Sequence, residues 1–279
     1  MIAVLTDSTS DLPPQEAHKL GIHVIYQTVQ MQGRQMLDWD EVDPEVVYSH
    51  MKAGGTASTL PIAVAAFAEC YRTLLETHDE IVSIHISGKL SPTVAHARMA
   101  ARLLKMEERI HVVDSGLAST PLGEAVMDAR AALLRGGDAT SAVRAAGATR
   151  DQILAEFSVP SLDYLRRGGR ISRTQAFIGN MLGLRPILGF EDGELKALRR
   201  CKVDHATQDM LSGMRERFGQ QPLCVSVVHA GRDSGRTQAL RLAVISSGLN
   251  VKSASMHLMG PAIGAHVGPG TFGIMARPV

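Results

Sequence analysis

Short apolar runs of strand length alternate with longer stretches of helical period through the first half of this chain. Ile2 to Asp7, Ile81 to Ser87 and Ile110 to Asp114 are rich in Ile and Val, and helix-like segments separate them. That alternation predicts an α/β unit whose parallel sheet carries helices on both faces. Helix ends are marked by punctuation: Asp11 with Pro13-Pro14 and then Gly21 bracket one helix, and Asp43-Pro44 with Gly54-Gly55 bracket another. Ser58-Thr59-Leu60-Pro61 precedes the run Ala63 to Leu75, and Ser91-Pro92-Thr93 precedes Val94 to Lys105. Both hydroxyl clusters are therefore expected at or near helix N-caps.

In the second half, Arg135-Gly136-Gly137-Asp138 opens a small-residue helical stretch to Thr149, and Ile153 to Val159 reads as the first strand of a new unit. The expected division is an N-terminal α/β domain, residues 1–150, and a C-terminal mixed α+β domain, residues 151–279. Pro186 to Phe190, the turn Glu191-Asp192-Gly193 and Glu194 to Cys201 read as a hairpin. Helix Val203 to Phe218, strand Leu223 to Val228, helix Arg236 to Ser247 and strand Val251 to Leu258 follow. No internal repeat is evident.

Hydropathy alone misleads at one place. Ser253 to Ala276 has no Asp, Glu, Lys or Arg and approaches membrane-spanning length. Its glycines at 260, 264, 268, 270 and 273, with Pro261 and Pro269, argue instead for buried loop and strand, so no stable membrane insertion is expected. The N-terminal Met1 to Asp7 reads as a strand, not a signal segment.

Composition removes several function classes. With 279 residues and 45% hydrophobic content there is enough apolar mass for a sizeable core. A net charge of +1, from 29 Lys+Arg against 28 Asp+Glu, gives no electrostatic footprint for nucleic acid. Cys70, Cys201 and Cys224 are odd in number and far apart, which fits a reducing cytoplasm and no metal cluster.

Gly268-Pro269-Gly270-Thr271-Phe272-Gly273 spells G-x-G-x-x-G, but only six residues follow it, too few for the helix and ribose-binding acid that a dinucleotide site needs. There is no phosphate-binding P-loop, H-E-x-x-H or G-x-S-x-G. No cofactor is therefore expected. The loop Thr6-Asp7-Ser8-Thr9-Ser10-Asp11 holds hydroxyls and acids without a His or Cys to activate them.

Ser91 before Pro92 is an ordinary cap, yet a helix N-terminus with free N–H groups also suits a carboxylate or phosphate. Two such starts in one domain suggest a shared head-group site. His266, between Gly264 and Gly268, stands where the backbone can approach a ligand closely. Asp163 to Ser172 concentrates Arg166, Arg167 and Arg170 around Gly168-Gly169, a candidate anion or docking surface, and Arg199 is a weaker candidate for the same role.

Taken together, Thr6-Asp7-Ser8-Thr9, Ser58-Thr59-Leu60-Pro61, Ser87-Gly88-Lys89-Leu90-Ser91, Val113-Asp114-Ser115, Tyr164 to Ile171 and Gly264 to Thr271 resemble the DegV family along nearly the whole chain. The resemblance implies a bacterial cytoplasmic protein with a ligand tunnel between its two domains. It further implies, for the FakB type, a non-catalytic subunit that binds a long-chain fatty acid. That subunit presents the carboxylate to a separate dihydroxyacetone-kinase-like fatty acid kinase, and the acyl phosphate feeds phospholipid synthesis. The matching positions for the carboxylate are Ser58 or Thr59, Ser91 and His266; Arg170 and Arg199 are this chain's own candidates for the kinase interface or the phosphate. Where the family commonly has Leu-Ser-Gly-Thr this chain has Leu90-Ser91-Pro92-Thr93, and Pro92 removes a backbone donor. The competing reading is an acyl-ester or thioester hydrolase with Ser91 as nucleophile and His266 as base. A regulator sensing acyl supply is a third.

Overall fold

The structure is a computed structural model and describes residues 1–170 and 183–279. Strands β1 (Ile2–Asp7), β2 (Ile22–Ile25), β6 (Glu80–His85) and β7 (Ile110–Asp114) form an all-parallel sheet in the order β2-β1-β6-β7. Ala3, Val4 and Leu5 are all buried, as a parallel strand covered on both sides requires. On one face, helices α1 (Pro14–Leu20), α5 (Thr120–Leu134) and α6 (Ala139–Gln152) pack Ala17, Leu122, Val126 and Ala142 against Val4, Val82 and Ile84. On the other, α3 (Val64–Leu75) and α4 (Thr93–Leu104) pack Phe67, Tyr71 and Ala97 against Leu5 and Ile81. The two-faced parallel sheet expected from the alternation is present.

The sequence pattern does not announce the second sheet. β3 (Thr28–Met31), β4 (Arg34–Leu37) and β5 (Ala57–Leu60) are antiparallel in the order β4-β3-β5, covered by α2 (Pro44–Lys52) through Val29, Met31, Val47 and Met51. Four-residue strands are too short for a period-2 signal to stand out. This sheet corrects the expectation for Ser58 and Thr59. They lie in β5, not at a helix N-terminus, and α3 begins only after Ala63, beyond Pro61. Pairing of Thr59 with Val29 and Ser58 with Gln30 satisfies the strand, and Pro61 keeps Leu60 out of the helical region.

The third sheet is mixed and six-stranded, in the order β10-β9-β8-β13-β11-β12. Its members are β8 (Leu154–Ser158), β9 (Leu184–Glu191), β10 (Glu194–Lys202), β11 (Leu223–His229), β12 (Val251–Leu258) and β13 (Phe272–Pro278). β9 and β10 form the expected hairpin, with Asp192 at φ 51° and Gly193 at φ 77°, the two positive angles of a type I′ turn. Helices α8 (Ala206–Phe218) and α9 (Ser234–Ile245) cover one face through Met210, Met214 and Leu240. The other face, with Ala155, Phe157, Val228 and Met275, turns toward the first sheet.

Two helices lie in segments where the sequence pattern predicts none. Residues 163–167 form α7 (Asp163–Arg167), and inside Ser253 to Ala276 lies α10 (Pro261–Val267). Pro261 occupies the first turn, where its missing N–H costs nothing, and Gly268 terminates the helix at φ 83°. Gly264 sits mid-helix because the Tyr48 ring occupies the space a Cβ would need, 2.5 Å from the phenol oxygen. Among the described residues no helix is long and apolar enough to cross a membrane.

Candidate functional site

The first sheet delivers its loops to one place. Thr9 follows β1, Gln27 follows β2, Ile86 to Ser91 follow β6, and Ala118-Ser119 follow β7; all four connections contribute to the wall of one chamber. Ligand sites in open parallel sheets form outside the carboxyl ends of the strands for this topological reason. Phe157, Phe190, Val228 and Met275 of the third sheet close the opposite side, with Ile263 and His266 of α10. The empty space, counted together with open solvent at its mouth, is about 820 Å³, and most of its lining is apolar.

Polar groups on this wall are linked to one another. His266 Nε2 and Thr59 Oγ1 are 2.8 Å apart. Gly168 approaches the other side of the imidazole so closely that a Cβ there would stand 2.3 Å from Nδ1. The Gly168 carbonyl accepts from Arg170 Nη1, and Arg170 Nε donates to the Leu90 carbonyl at 3.1 Å, next to Ser91. Ser91 Oγ is 2.8 Å from Thr93 Oγ1 and only 3.4 Å from the Thr93 amide, so α4 starts at Thr93 and Ser91 is a weak cap. Thr59, Ser91, Arg170 and His266 thus share one wall. Ile171 and Ser172, also in the arginine-rich stretch, lie outside the described residues.

Strand alternation separates Ser58 from Thr59. Thr59 lines the chamber, whereas Ser58 belongs to a second, outer hollow with Gln30, Gln32 and Arg167, and its hydroxyl is 3.4 Å from Gln30 Oε1. His266 borders both spaces. It is carried in the last turn of α10.

Burial, reinforced by the Arg170 charge, pushes the His266 imidazole down to about 4, so it is neutral near pH 7. Its Nδ1 is buried without a hydrogen-bond partner among the described residues. Burial also lowers Arg170 from its usual range, though a guanidinium remains charged. Arg170 therefore supplies the positive charge of the wall.

Arg199 departs from its expected role. Its guanidinium is bidentate to Glu156 at 2.7 and 2.6 Å and also bonds Asp209, bracing β10, β8 and α8 together. Those two carboxylates, Glu156 first, raise its already high pKa and occupy the fork that an anion would need. Nor does the structure form a Ser91–His266 pair, because Thr59 holds Nε2 and Thr93 holds the Ser91 hydroxyl.

The acids of the Thr6 to Asp11 loop act as fasteners. Asp11 Oδ1 accepts from Gly260 N at 2.9 Å, and Asp38 Oδ1, just beyond β4 of the second sheet, accepts from Ala262 N at 3.0 Å, which ties the start of α10 to both N-terminal sheets. Burial raises Asp11 to about 7 despite its bonds from Ser119 and Gly260. Asp7 accepts from Thr9 N at 3.1 Å, Ile86 N at 3.0 Å and His85 Nδ1 at 3.0 Å. Burial opposes ionisation there, but these bonds, His85 foremost, lower its pKa overall. Ser83 Oγ lies 2.6 Å from His85 Nε2, which copies the connectivity of a catalytic triad. Ser83, His85 and Asp7 are each fully buried and Tyr71 also bonds Ser83, so this chain of groups has no face for a substrate. Nothing in the sequence spacing distinguished these positioning acids from solvated ones. Among the described residues no group of three or more His, Cys, Asp or Glu is placed to hold a metal ion.

Comparison with known proteins agrees with this architecture. Residues 1–279 match the family model described as an uncharacterised protein, DegV family. A DegV domain-containing protein of Streptomyces coelicolor is 33% identical over 279 residues, covering 98% of this chain and 97% of the relative. A solved structure described as fatty acid binding of a DegV family protein from Thermus thermophilus superposes with a TM-score of 0.92 at 34% identity, over 100% of this chain and 99% of that one. DegV of Bacillus subtilis, described as a fatty acid binding protein, superposes with a TM-score of 0.86 at 25% identity, covering 100% and 99%. With matching sequence motifs, matching topology and a match from the first residue to the last, this chain belongs to the DegV family.

Proposed function

We propose that this protein is a carrier that holds one long-chain fatty acid in the chamber and offers its carboxylate to a separate dihydroxyacetone-kinase-like kinase, whose acyl phosphate feeds phospholipid synthesis. The observation that carries this reading is the gathering of Thr59, Ser91, Arg170 and His266 on one wall of an otherwise mostly apolar chamber. Each buried methylene contributes roughly 0.8 kcal/mol, so a long chain offsets the cost of seating a carboxylate. Hydroxyl and imidazole groups orient the carboxylate, and Arg170 balances its charge. The reading also draws on the Thermus and Bacillus relatives, which are described as fatty-acid binders. In phosphoryl transfer the ionised carboxylate is the nucleophile, and the kinase supplies nucleotide and metal.

A hydrolytic reading has one observation in its favour, the Thr59–His266 contact of 2.8 Å, which resembles a nucleophile and its base. Among the described residues no acid bonds Nδ1 to orient the ring. Native mass spectrometry of the purified protein, followed by denaturing extraction, decides between them. One fatty acid per chain, converted to acyl phosphate by an added fatty acid kinase, is the expected result. An empty protein that turns over an acyl ester, with activity lost in Thr59→Val, would replace the carrier by the enzyme.

A further inference from the structure

The β3–β5 pairing places a second polar side chain beside Thr59. Val29 lies opposite Thr59 and Thr28 opposite Leu60, so Gln27, two residues before Val29, falls on the diagonal from Thr59. Diagonal neighbours of an antiparallel pair are about 7–8 Å apart, within reach of a long side chain. The faces agree with this: Gln30 and Ser58 border the outer hollow, whereas Gln27 and Thr59 line the chamber. The Gln27 backbone is fixed at both ends, its N–H donating to Ser8 Oγ at 3.0 Å and its carbonyl accepting from Asp38 N at 2.9 Å. The residue is only 4% exposed, and its side chain borders the chamber. With its backbone fixed at both ends, the amide is held at the chamber wall, where a polar ligand group can satisfy it.

We propose that Gln27 is a further head-group residue, its amide N–H donating to the same carboxylate that Thr59 contacts. This deepens the carrier reading and rests on it. Two donors converging on one carboxylate, from β5 and from the residue just before β3, recognise an ionised acid better than a neutral head group, because a bond to a charged acceptor is about twice as strong. Gln27→Met keeps the length and removes the donor.

The test measures oleate and oleyl alcohol binding to the full chain by titration calorimetry at pH 8. Oleate affinity should fall about tenfold to a hundredfold in Gln27→Met, the range for a bond to a charged group, while oleyl alcohol changes less than about threefold. Gln27→Glu, which sets carboxylate against carboxylate, should bind oleate at least as poorly. Unchanged oleate binding in Gln27→Met, or equal losses for both probes, overturns the proposal. Wild-type protein that binds neither probe overturns the carrier reading itself. Should Gln27→Met not fold, Gln27→Asn replaces it, withdrawing the amide by one methylene, with the same loss of oleate expected.

Discussion

A single carboxyl group shows how this fold sets its own pH dependence. Asp11 is buried with a pKa raised to about 7, against an ordinary 3.8, so between those values the folded chain holds a proton that the unfolded chain has released. Its stabilising share is complete below 3.8 and is lost as the pH rises through 7. Asp11→Asn keeps an acceptor for Gly260 N and removes the ionisation. The variant should melt higher than wild type at pH 8, and the gain should vanish near pH 4, measured by thermal unfolding across that range. His266 acts in the opposite direction. Its pKa falls from 6.5 to about 4, so its share is complete above 6.5 and is lost on acidification. Ser91 and His266 stood out as chemistry-bearing residues from sequence alone because hydroxyls before Pro and a His among glycines are local signals. Asp11, Asp38 and Gln27 did not, because their roles depend on partners more than two hundred residues away or on another strand.

Among the elements, α10 concentrates the most constraint in the fewest residues. Seven residues carry His266 and rest on the Tyr48 ring at Gly264, while the cap Gly260 and Ala262 of the first turn donate their N–H groups to Asp11 and Asp38. Tyr48 is itself fully buried and donates to the Met259 carbonyl at 2.9 Å, so it has nowhere to retreat. Gly264→Ala should therefore cost about 1–3 kcal/mol of stability by overpacking, read as a lower denaturation midpoint with little change in slope. Local propensity pointed the other way, since Pro and Gly at this density discourage helix. Tertiary contacts override it by capping one end and packing the middle.

For the whole molecule, the chamber exists only while the two large sheets stay in register. Glu124 of α5 accepts from Arg277 Nε of β13 at 2.6 Å and from Ser226 Oγ of β11 at 2.8 Å, with Asp128 3.4 Å from the same guanidinium. This tie crosses from a helix on the first sheet to the centre of the third. Arg277→Ala strands a nearly buried carboxylate and should lower global stability by about 2–3 kcal/mol. Intrinsic fluorescence of Trp39, followed in urea beside far-ultraviolet circular dichroism, should report one coincident transition at a lower midpoint. Separate transitions would mean that the halves unfold independently.

Legible in the chain alone were the elements that are long or sharply punctuated: the parallel strands of the first sheet, the Asp192-Gly193 hairpin, the helices bracketed by Pro and Gly, and membership in the DegV family. Those signals are local, because hydrophobic period and turn chemistry act between neighbours in the chain. Folding alone makes Thr59 face the chamber while Ser58 faces out, makes Arg199 a brace bound to Glu156 and Asp209, and brings His266 to Thr59 across 207 positions of sequence. Strand register, desolvation and competition for hydrogen-bond partners are properties of groups brought together by folding, and no window of sequence contains them.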